Sequence, residues 1–298
     1  MDFVACTRMF VRVVESGSFS AVATENETTQ PTVSKHVSAL ETHLGAKLFN
    51  RSTRKLSLTE AGSEFYDRCK RILSDIEEAE SSIGHRTSNP GGLLKVHMPI
   101  TYGRMHILPR LWAFMEAFPD IHLDIRMDDH YANLIEEGVD VAIRIGPLSD
   151  SNMIARKIGT CPRVTIASPS YLQKHGTPAN IQELTQHNCV VYSLLTTGNE
   201  WHFTSNKGHE TIRVTGNFMA NSPDAIREAV VAGIGIAVTP HWLIDDCLER
   251  GEIETILNNY KPTPLEIHAI YPERKYVPEK VRCFIDHLRD SLNNKTSK

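Results

Sequence analysis

The stretch Thr29-Gln30-Pro31-Thr32-Val33-Ser34-Lys35 gathers short hydrogen-bonding side chains around one cation, at what the spacing predicts to be the start of a helix. Thr29 or Gln30 is suited to cap it, and Pro31 suits the first turn, where no backbone N–H is needed. Side chains of this kind exchange hydrogen bonds with base edges when a helix enters the major groove by its N-terminal turn. Further on, Arg51, Arg54 and Lys55 offer cations of the kind that grip phosphates. Residues 30–62 carry five Lys/Arg against two Asp/Glu, whereas the whole chain stands at −4. Positive charge is therefore concentrated where a phosphate backbone would pass.

These side chains need a rigid support, and the flanking pattern supplies one. Val33, Val37, Leu40 and Leu44, at spacings of 4, 3 and 4, give the helix an apolar stripe, and Thr32, Ser34, Lys35, His36 and Ser38 occupy the opposite face. A shorter helix precedes it, capped by Ser18, with Phe19, Val22 and Ala23 inward and Ala21 small enough for a close crossing. Glu27-Thr28-Thr29 forms the turn, and Gly45 ends the second helix. Leu48 to Leu58 reads as a two-strand wing that projects Arg51, Arg54 and Lys55. Residues 2–16 form a buttressing first helix through Phe3, Thr7, Phe10, Val11 and Val14.

Thr59 opens a long helix running to about Gly84, with Phe65, Cys69, Ile72, Ile76, Ala79 and Ile83 at heptad spacing. Two dispositions suit this seam: pairing with a second copy, which we favour, or packing on the chain's own domain. His85 to Gly92 is a polar hinge with one proline and two glycines. Beyond it, strand and helix patterns alternate, as in an α/β domain. Expected strands are 93–98, 121–127, 139–145, 164–168, 190–192, 211–218, 235–238 and 265–271. Expected helices are 102–118 (Ile107, Leu111, Phe114 and Met115 inward), 130–137, 169–174, 222–232 and 278–292. About 200 residues is large for one sheet, so two lobes fit better. A ligand would then lie in the cleft, at carboxyl ends of strands and near helix starts. Ile100, Thr101 and Tyr102 form such a junction, with Thr101 and nearby N–H groups able to hold a polar oxygen. Asp128, Ile145, Gly146, Leu194, Trp201, Phe218, Asn221 and Thr239 are the facing candidates, unless the apolar ones are ordinary core.

Other chemistry finds little support. The 298 residues suggest two or three domains, and 41% hydrophobic with 23% charged residues is ordinary for a globular chain. No run of 18 uncharged apolar residues occurs, and the N-terminus has no signal-peptide pattern, so neither a membrane span nor secretion is expected. Six scattered cysteines without C-x-x-C suit a reduced cytoplasm. The 14 histidines include no H-E-x-x-H and no zinc spacing, so no metal or other cofactor is expected. Gly233-Ile234-Gly235 is too short for a dinucleotide fingerprint, and Ser168 and Ser193 lack a nucleophile elbow. Cys161 and Cys189 would form a redox pair only if the fold joined them. Arg144 would meet an anionic ligand or pair with Asp124 or Asp140.

The ordered run Phe10 to Ala23, Thr29 to Lys35, Leu40-Glu41, Leu44-Gly45, Leu48-Phe49, Arg51, Arg54 and Leu58 to Gly62 resembles the LysR-type transcriptional regulators. Gly92 to Val96, Leu108-Pro109, Phe118 to Ile121, Glu137 to Arg144, Ala167 to Leu172 and Ala232 to Ala237 extend the resemblance through the second half. It implies a winged helix-turn-helix over 1–58, a linker helix and hinge over 59–91, and a two-lobed, periplasmic-binding-protein-like α/β effector domain over 92–298. Lobe I would comprise about 92–162 plus 267–298, and lobe II about 163–266. It further implies a cytoplasmic, non-enzymatic regulator acting as a homodimer or homotetramer. Its expected partners are double-stranded promoter DNA, a small-molecule effector and RNA polymerase, with no membrane. Ser18, Thr29, Gln30, Pro31, Thr32, Ser34 and Lys35, with the wing cations, would touch DNA. Two positions depart from the family pattern. Asn26 replaces a leucine packed between the two helices, and Lys35 replaces a frequent arginine, giving a point charge in place of a planar fork. Two variants of function stay open, a constitutive DNA-binding repressor without effector and a thiol-based redox sensor. A third, an enzyme or transport-type binding protein, leaves the first 62 residues without a role.

Overall fold

The structure is a computed structural model. It describes residues 1–52, 55–84, 90–129, 137–148, 153–273 and 277–293; of Arg51, Ser52, Lys55 and much of the long helix, the backbone alone is described. The chain forms two compact units, Met1–Asn89 and Pro90–Lys298.

The first unit is a helical head with a wing. Helix α1 (Phe3–Ser16) is capped by Asp2, whose carboxylate accepts the Ala5 N–H at 3.0 Å, and is stopped by left-handed Gly17. Helix α2 (Phe19–Glu25) is capped by Ser18, and α3 (Gln30–Leu44) by Thr29, with Gly45 left-handed at its end. Strands β1 (Phe49–Ser52) and β2 (Lys55–Leu58) pair antiparallel as the wing. The long helix α4 (Glu60–Gly84) follows. Phe10, Val13, Val22, Val33 and Leu40 are fully buried in one core, which Cys69 and Leu73 of α4 complete. Phe10 meets Phe49 edge-on at 5.4 Å and Phe65 at 5.6 Å.

Three details differ from the sequence expectation. Ala21 is exposed, and the residues that α2 buries are Val22 and Ala23. His36 leaves the polar face, its Nδ1 lying 3.5 Å from the Cys6 sulfur. Asn26 is not wedged between helices. It is exposed and folds back on α2, donating to the Val22 carbonyl at 2.9 Å.

The second unit contains two groups of sheets. In the first, strands β3 (Gly92–Met98), β4 (Ile121–Met127), β5 (Val141–Ile145) and β6 (Met153–Cys161) join a late strand, β15 (Leu265–Pro272). The order is β4-β3-β5-β15-β6, with β3 parallel to β4 and β5, and β15 antiparallel to its neighbours. Between β3 and β4 runs a helix in three segments, α5 (Ile100–Tyr102), a π-helical turn (Gly103–Ile107) and α6 (Leu108–Ala117). Ile107, Leu111 and Phe114 are buried there, whereas Met115 faces outward at 43% exposure.

The second group holds β7 (Arg163–Ala167), α7 (Pro169–His175), β8 (Val190–Tyr192), β9 (Glu200–Ser205), β10 (Gly208–Arg213), β11 (Phe218–Ala220), α8 (Pro223–Val231), β12 (Ala237–Pro240), α9 (Asp245–Glu249), β13 (Glu254–Ile256) and β14 (Lys261–Pro262). The chain then returns through β15 (Leu265–Pro272) to α10 (Glu279–Asn293), which covers the first sheet through Phe284, Ile285 and Leu288. The strand expected over 211–218 divides into β10 and β11, and the helix expected over 130–137 lies mostly outside the described residues. Strands β6, β9, β13 and β14, and helix α9, had no sequence expectation. Leaving the first sheet after β6 and re-entering it at β15 gives two crossovers, the arrangement of a two-lobed binding domain.

Candidate nucleic-acid interface and effector cleft

At the start of α3, the Thr29 hydroxyl accepts the Thr32 N–H at 3.4 Å and shares a 2.9 Å hydrogen bond with the Thr32 hydroxyl. The two threonines fix the opening turn, and Gln30, Pro31 and Lys35 project from it, exposed. Ser34 is half-buried beside them, as is Ser18, whose Oγ accepts the Ala21 N–H at 3.2 Å. The cluster presents an amide, a cation and small hydroxyls on a pre-ordered turn, a set able to reach base edges. The wing backbone brings Arg51 opposite Leu56 and Ser52 opposite Lys55. Arg54 lies outside the described residues.

Glu41 ties α3 to the wing. It is 4% exposed and receives the Leu48 N–H at 2.9 Å, the Phe49 N–H at 3.5 Å and the Lys47 ammonium at 2.7 Å. Burial alone would push its carboxyl up; the Lys47 charge and the two N–H groups outweigh that and hold it below the usual carboxylate range. Lys47 thus gives its ammonium to Glu41 while its side chain stays largely in solvent.

The α4 seam divides. Cys69 is fully buried, Phe65 packs on Phe10, and Leu73, outside the expected seam, is 7% exposed in the same core. Helix α1 therefore supplies the apolar partner for the first half of the seam. Ile72 points away from that core at 46% exposure. Ile76 lines an open groove with Val4, Ala5, Arg8, Met9 and Asn26. The Ala79 and Ile83 side chains lie outside the described residues.

In the second unit, the β3–α5 junction meets α8 across the lobes. The Thr101 hydroxyl, 2% exposed, donates to Asp224 Oδ2 at 2.6 Å. The neighbouring Ile100 N–H donates to Asp129 Oδ1 at 3.0 Å, and the Ile100 side chain is exposed. Tyr102 turns into the first lobe's core, stacked on His106 at 4.9 Å and edge-on to Trp242 at 5.3 Å. Burial pushes its phenol well above its ordinary value. Trp242 comes from the second lobe and donates from Nε1 to the Cys161 sulfur at 3.1 Å. Gly146 has φ +103°, and a Cβ there would sit 3.4 Å from Leu195 Cδ2, so the backbone approaches that side chain closely.

Among the remaining cleft candidates, Asp128 and Asn221 are exposed. Ile145 and Leu194 are half-buried, and Phe218 is half-buried against the α8 core. Trp201 is an inward residue of β9 in the second lobe's core, and Thr239 is buried in β12. Asp224, Asp129 and Trp242 were not singled out by sequence. The only prior signal was the position of Asp224 in the first turn of α8.

Arg144 takes neither expected acidic partner among the described contacts. Its Nη1 lies 3.0 Å from His97 Nδ1, and burial followed by the Arg144 charge lowers the His97 pKa. Asp140 instead accepts the Lys95 N–H at 2.9 Å. Cys161 and Cys189 sit in different cores, and burial pushes their thiols up to about 11 and about 12.

Comparison with known proteins gives a consistent picture. Residues 7–63 match the family described as bacterial regulatory helix-turn-helix protein, lysR family, and residues 87–293 match the LysR substrate binding domain. An uncharacterized HTH-type transcriptional regulator of Haemophilus influenzae is 37% identical over 281 residues, covering 94% of this chain and 98% of that protein. The structure of CrgA, a LysR-type transcriptional regulator from Neisseria meningitidis, aligns with a TM-score of 0.60 at 34% identity, over 97% of this chain and 99% of that one. The full-length structure of the Vibrio cholerae virulence activator AphB aligns with a TM-score of 0.57 at 32% identity, over 95% and 97%.

Proposed function

As the chain belongs to the LysR family of transcriptional regulators, we propose that it binds promoter DNA as a homo-oligomer in the cytoplasm and answers to a small molecule held between its lobes. The carrying observation is the exposed, threonine-fixed opening turn of α3, with Gln30 and Lys35 projecting from it. Gln30, Pro31, Thr32, Ser34 and Lys35 approach base edges, with Ser18 and Thr29 at the flanking helix starts. Arg51, Arg54 and Lys55 hold the wing on phosphates or in the minor groove. Ile72 and Ile76 form the part of α4 that meets a second copy, since Phe65 and Cys69 are engaged in the chain's own core. Two copies present two reading heads to a palindromic site, and pairs of dimers give a tetramer. RNA polymerase is then a neighbour at the promoter. The effector acts by favouring one lobe arrangement over another.

The test is fluorescence anisotropy on the protein's own upstream region, across a salt series and against random DNA of equal length. Tight, salt-steep binding that prefers the upstream fragment is expected. Equal, weak binding to both fragments speaks against an upstream target.

A further inference from the structure

The β3–α5 junction offers two donors suited to a ligand's oxygen, and the chain's own carboxylates occupy both. Asp129 takes the Ile100 N–H at 3.0 Å, from within the first lobe. Asp224 takes the buried Thr101 hydroxyl at 2.6 Å, from α8 in the second lobe. Asp128 stands next to Asp129 in the chain. One turn along α8, Arg227 is directed elsewhere, to Asp246 at 2.6 Å and to the Cys247 sulfur at 3.0 Å.

We propose that Asp224 is a tethered occupant of the cleft's anchor: its carboxylate latches the lobes through Thr101 and keeps carboxylate-bearing molecules out, so the effector is a neutral or cationic molecule with hydrogen-bond donors of its own. This rests on the regulator reading above. A tethered carboxylate competes at a high effective concentration with any free one. A second carboxylate at Thr101 would also have to lose water beside a like charge. A donor-bearing ligand meets the opposite situation, because an ionised carboxylate can accept several hydrogen bonds and Thr101 uses one. Such a ligand draws Asp224 toward itself and releases or re-forms the bridge between the lobes.

The experiment uses the full chain, with amide hydrogen exchange followed at Ile100–Gly103 on one lobe and Pro223–Ile226 on the other. Asp224→Ala and Thr101→Val should each speed exchange on the opposite lobe by about tenfold, and the double variant should add little to either. Sodium acetate, balanced against chloride, is the carboxylate probe. It should restore protection at Ile100–Gly103 in Asp224→Ala and leave the wild type unchanged. Asp224→Asn, which keeps an acceptor without the charge, should hold the latch and keep the wild-type exchange rates at Ile100–Gly103. Wild-type exchange rates at Ile100–Gly103 in Asp224→Ala would overturn the latch. Acetate protection of the wild type, or failure of acetate to act on Asp224→Ala, would overturn the exclusion of carboxylates. Anisotropy on the wild type separates the two levels of inference, because DNA binding reads the head and hydrogen exchange reads the latch directly. A wild type without DNA binding would strike the proposed function and leave the exchange result standing.

Discussion

Removing the Glu41 carboxylate should loosen the head and leave the second unit as it is. In Glu41→Ala, the buried Leu48 N–H at 2.9 Å loses a charged acceptor, and the weaker 3.5 Å contact to Phe49 goes with it. A hydrogen bond to a charged group contributes about 1.5–3 kcal/mol, and a stranded buried N–H costs about 1–3 kcal/mol. The Lys47 pair adds little, since Lys47 is 66% exposed and screened. These contributions overlap, so the expected loss is about 3 kcal/mol, a large part of the roughly 5–15 kcal/mol that holds a domain folded. Glu41→Gln keeps one acceptor oxygen and should lose about half as much. All three tryptophans, Trp112, Trp201 and Trp242, lie in the second unit. In urea, the far-UV circular dichroism transition of the head should therefore move to lower concentration while the tryptophan fluorescence transition stays. The sign with pH follows from the lowered carboxyl. Its stabilisation is fully present above the unfolded carboxylate range and is lost as pH falls through the lower folded value. The gap between wild type and Glu41→Ala should thus narrow as pH falls from the ordinary carboxylate range through the lower folded value. A Glu41→Ala head as stable as wild type at pH 7, or a Gln variant as damaged as the Ala variant, would refute the assignment.

Lys35→Ala should weaken binding to the preferred site by about 1–3 kcal/mol and binding to random DNA less, by anisotropy; equal losses would remove Lys35 from base readout. Arg54→Ala should weaken both and flatten the salt slope by about 1. Ile72→Glu should lower self-association in sedimentation with little change in head stability, whereas Leu73→Ala should cost about 2–5 kcal/mol of stability and leave association nearly intact. With Cys161 and Cys189 pushed up to about 11 and about 12, few thiolates form at neutral pH, so dithiothreitol should not alter DNA binding. A dithiothreitol effect abolished by Cys→Ser would revive the redox variant.

The head was legible because its determinants are local. Caps at Ser18 and Thr29, the stop at Gly45 and the stripe from Val33 to Leu40 all act within a few residues. The partition of α4 was less so, because a heptad seam does not say which copy of the chain covers it. Leu73, four residues after Cys69, was the available signal that the inward face turns from a strict heptad. In the cleft, Thr101 could be picked from its place at a helix start. Its partner Asp224 lies 123 residues away, and no local pattern links the two. Trp201, named among the cleft candidates unless ordinary core, is with Phe203 the inward half of an alternating strand. Strand β6 was missed because Arg156, Lys157 and Gly159 break its apolar run.

The long helix α4 begins as a weld. The Thr59 hydroxyl donates to the Lys47 carbonyl and accepts the Gly62 N–H, and a Cβ on Gly62 would fall 2.0 Å from the Leu48 carbonyl oxygen. With Phe65, Cys69 and Leu73 sunk in the head's core, that end of α4 has no play against α3 and its wing. The 25 residues of α4 then form a lever arm of about 37 Å, at 1.5 Å per residue. A tilt of about 10° at its far end sweeps the near end through about 6 Å, nearly two steps of a duplex that rises 3.4 Å per base pair. Small angular strokes are enough, with such a rigid crank, to move a reading head out of register with its half-site.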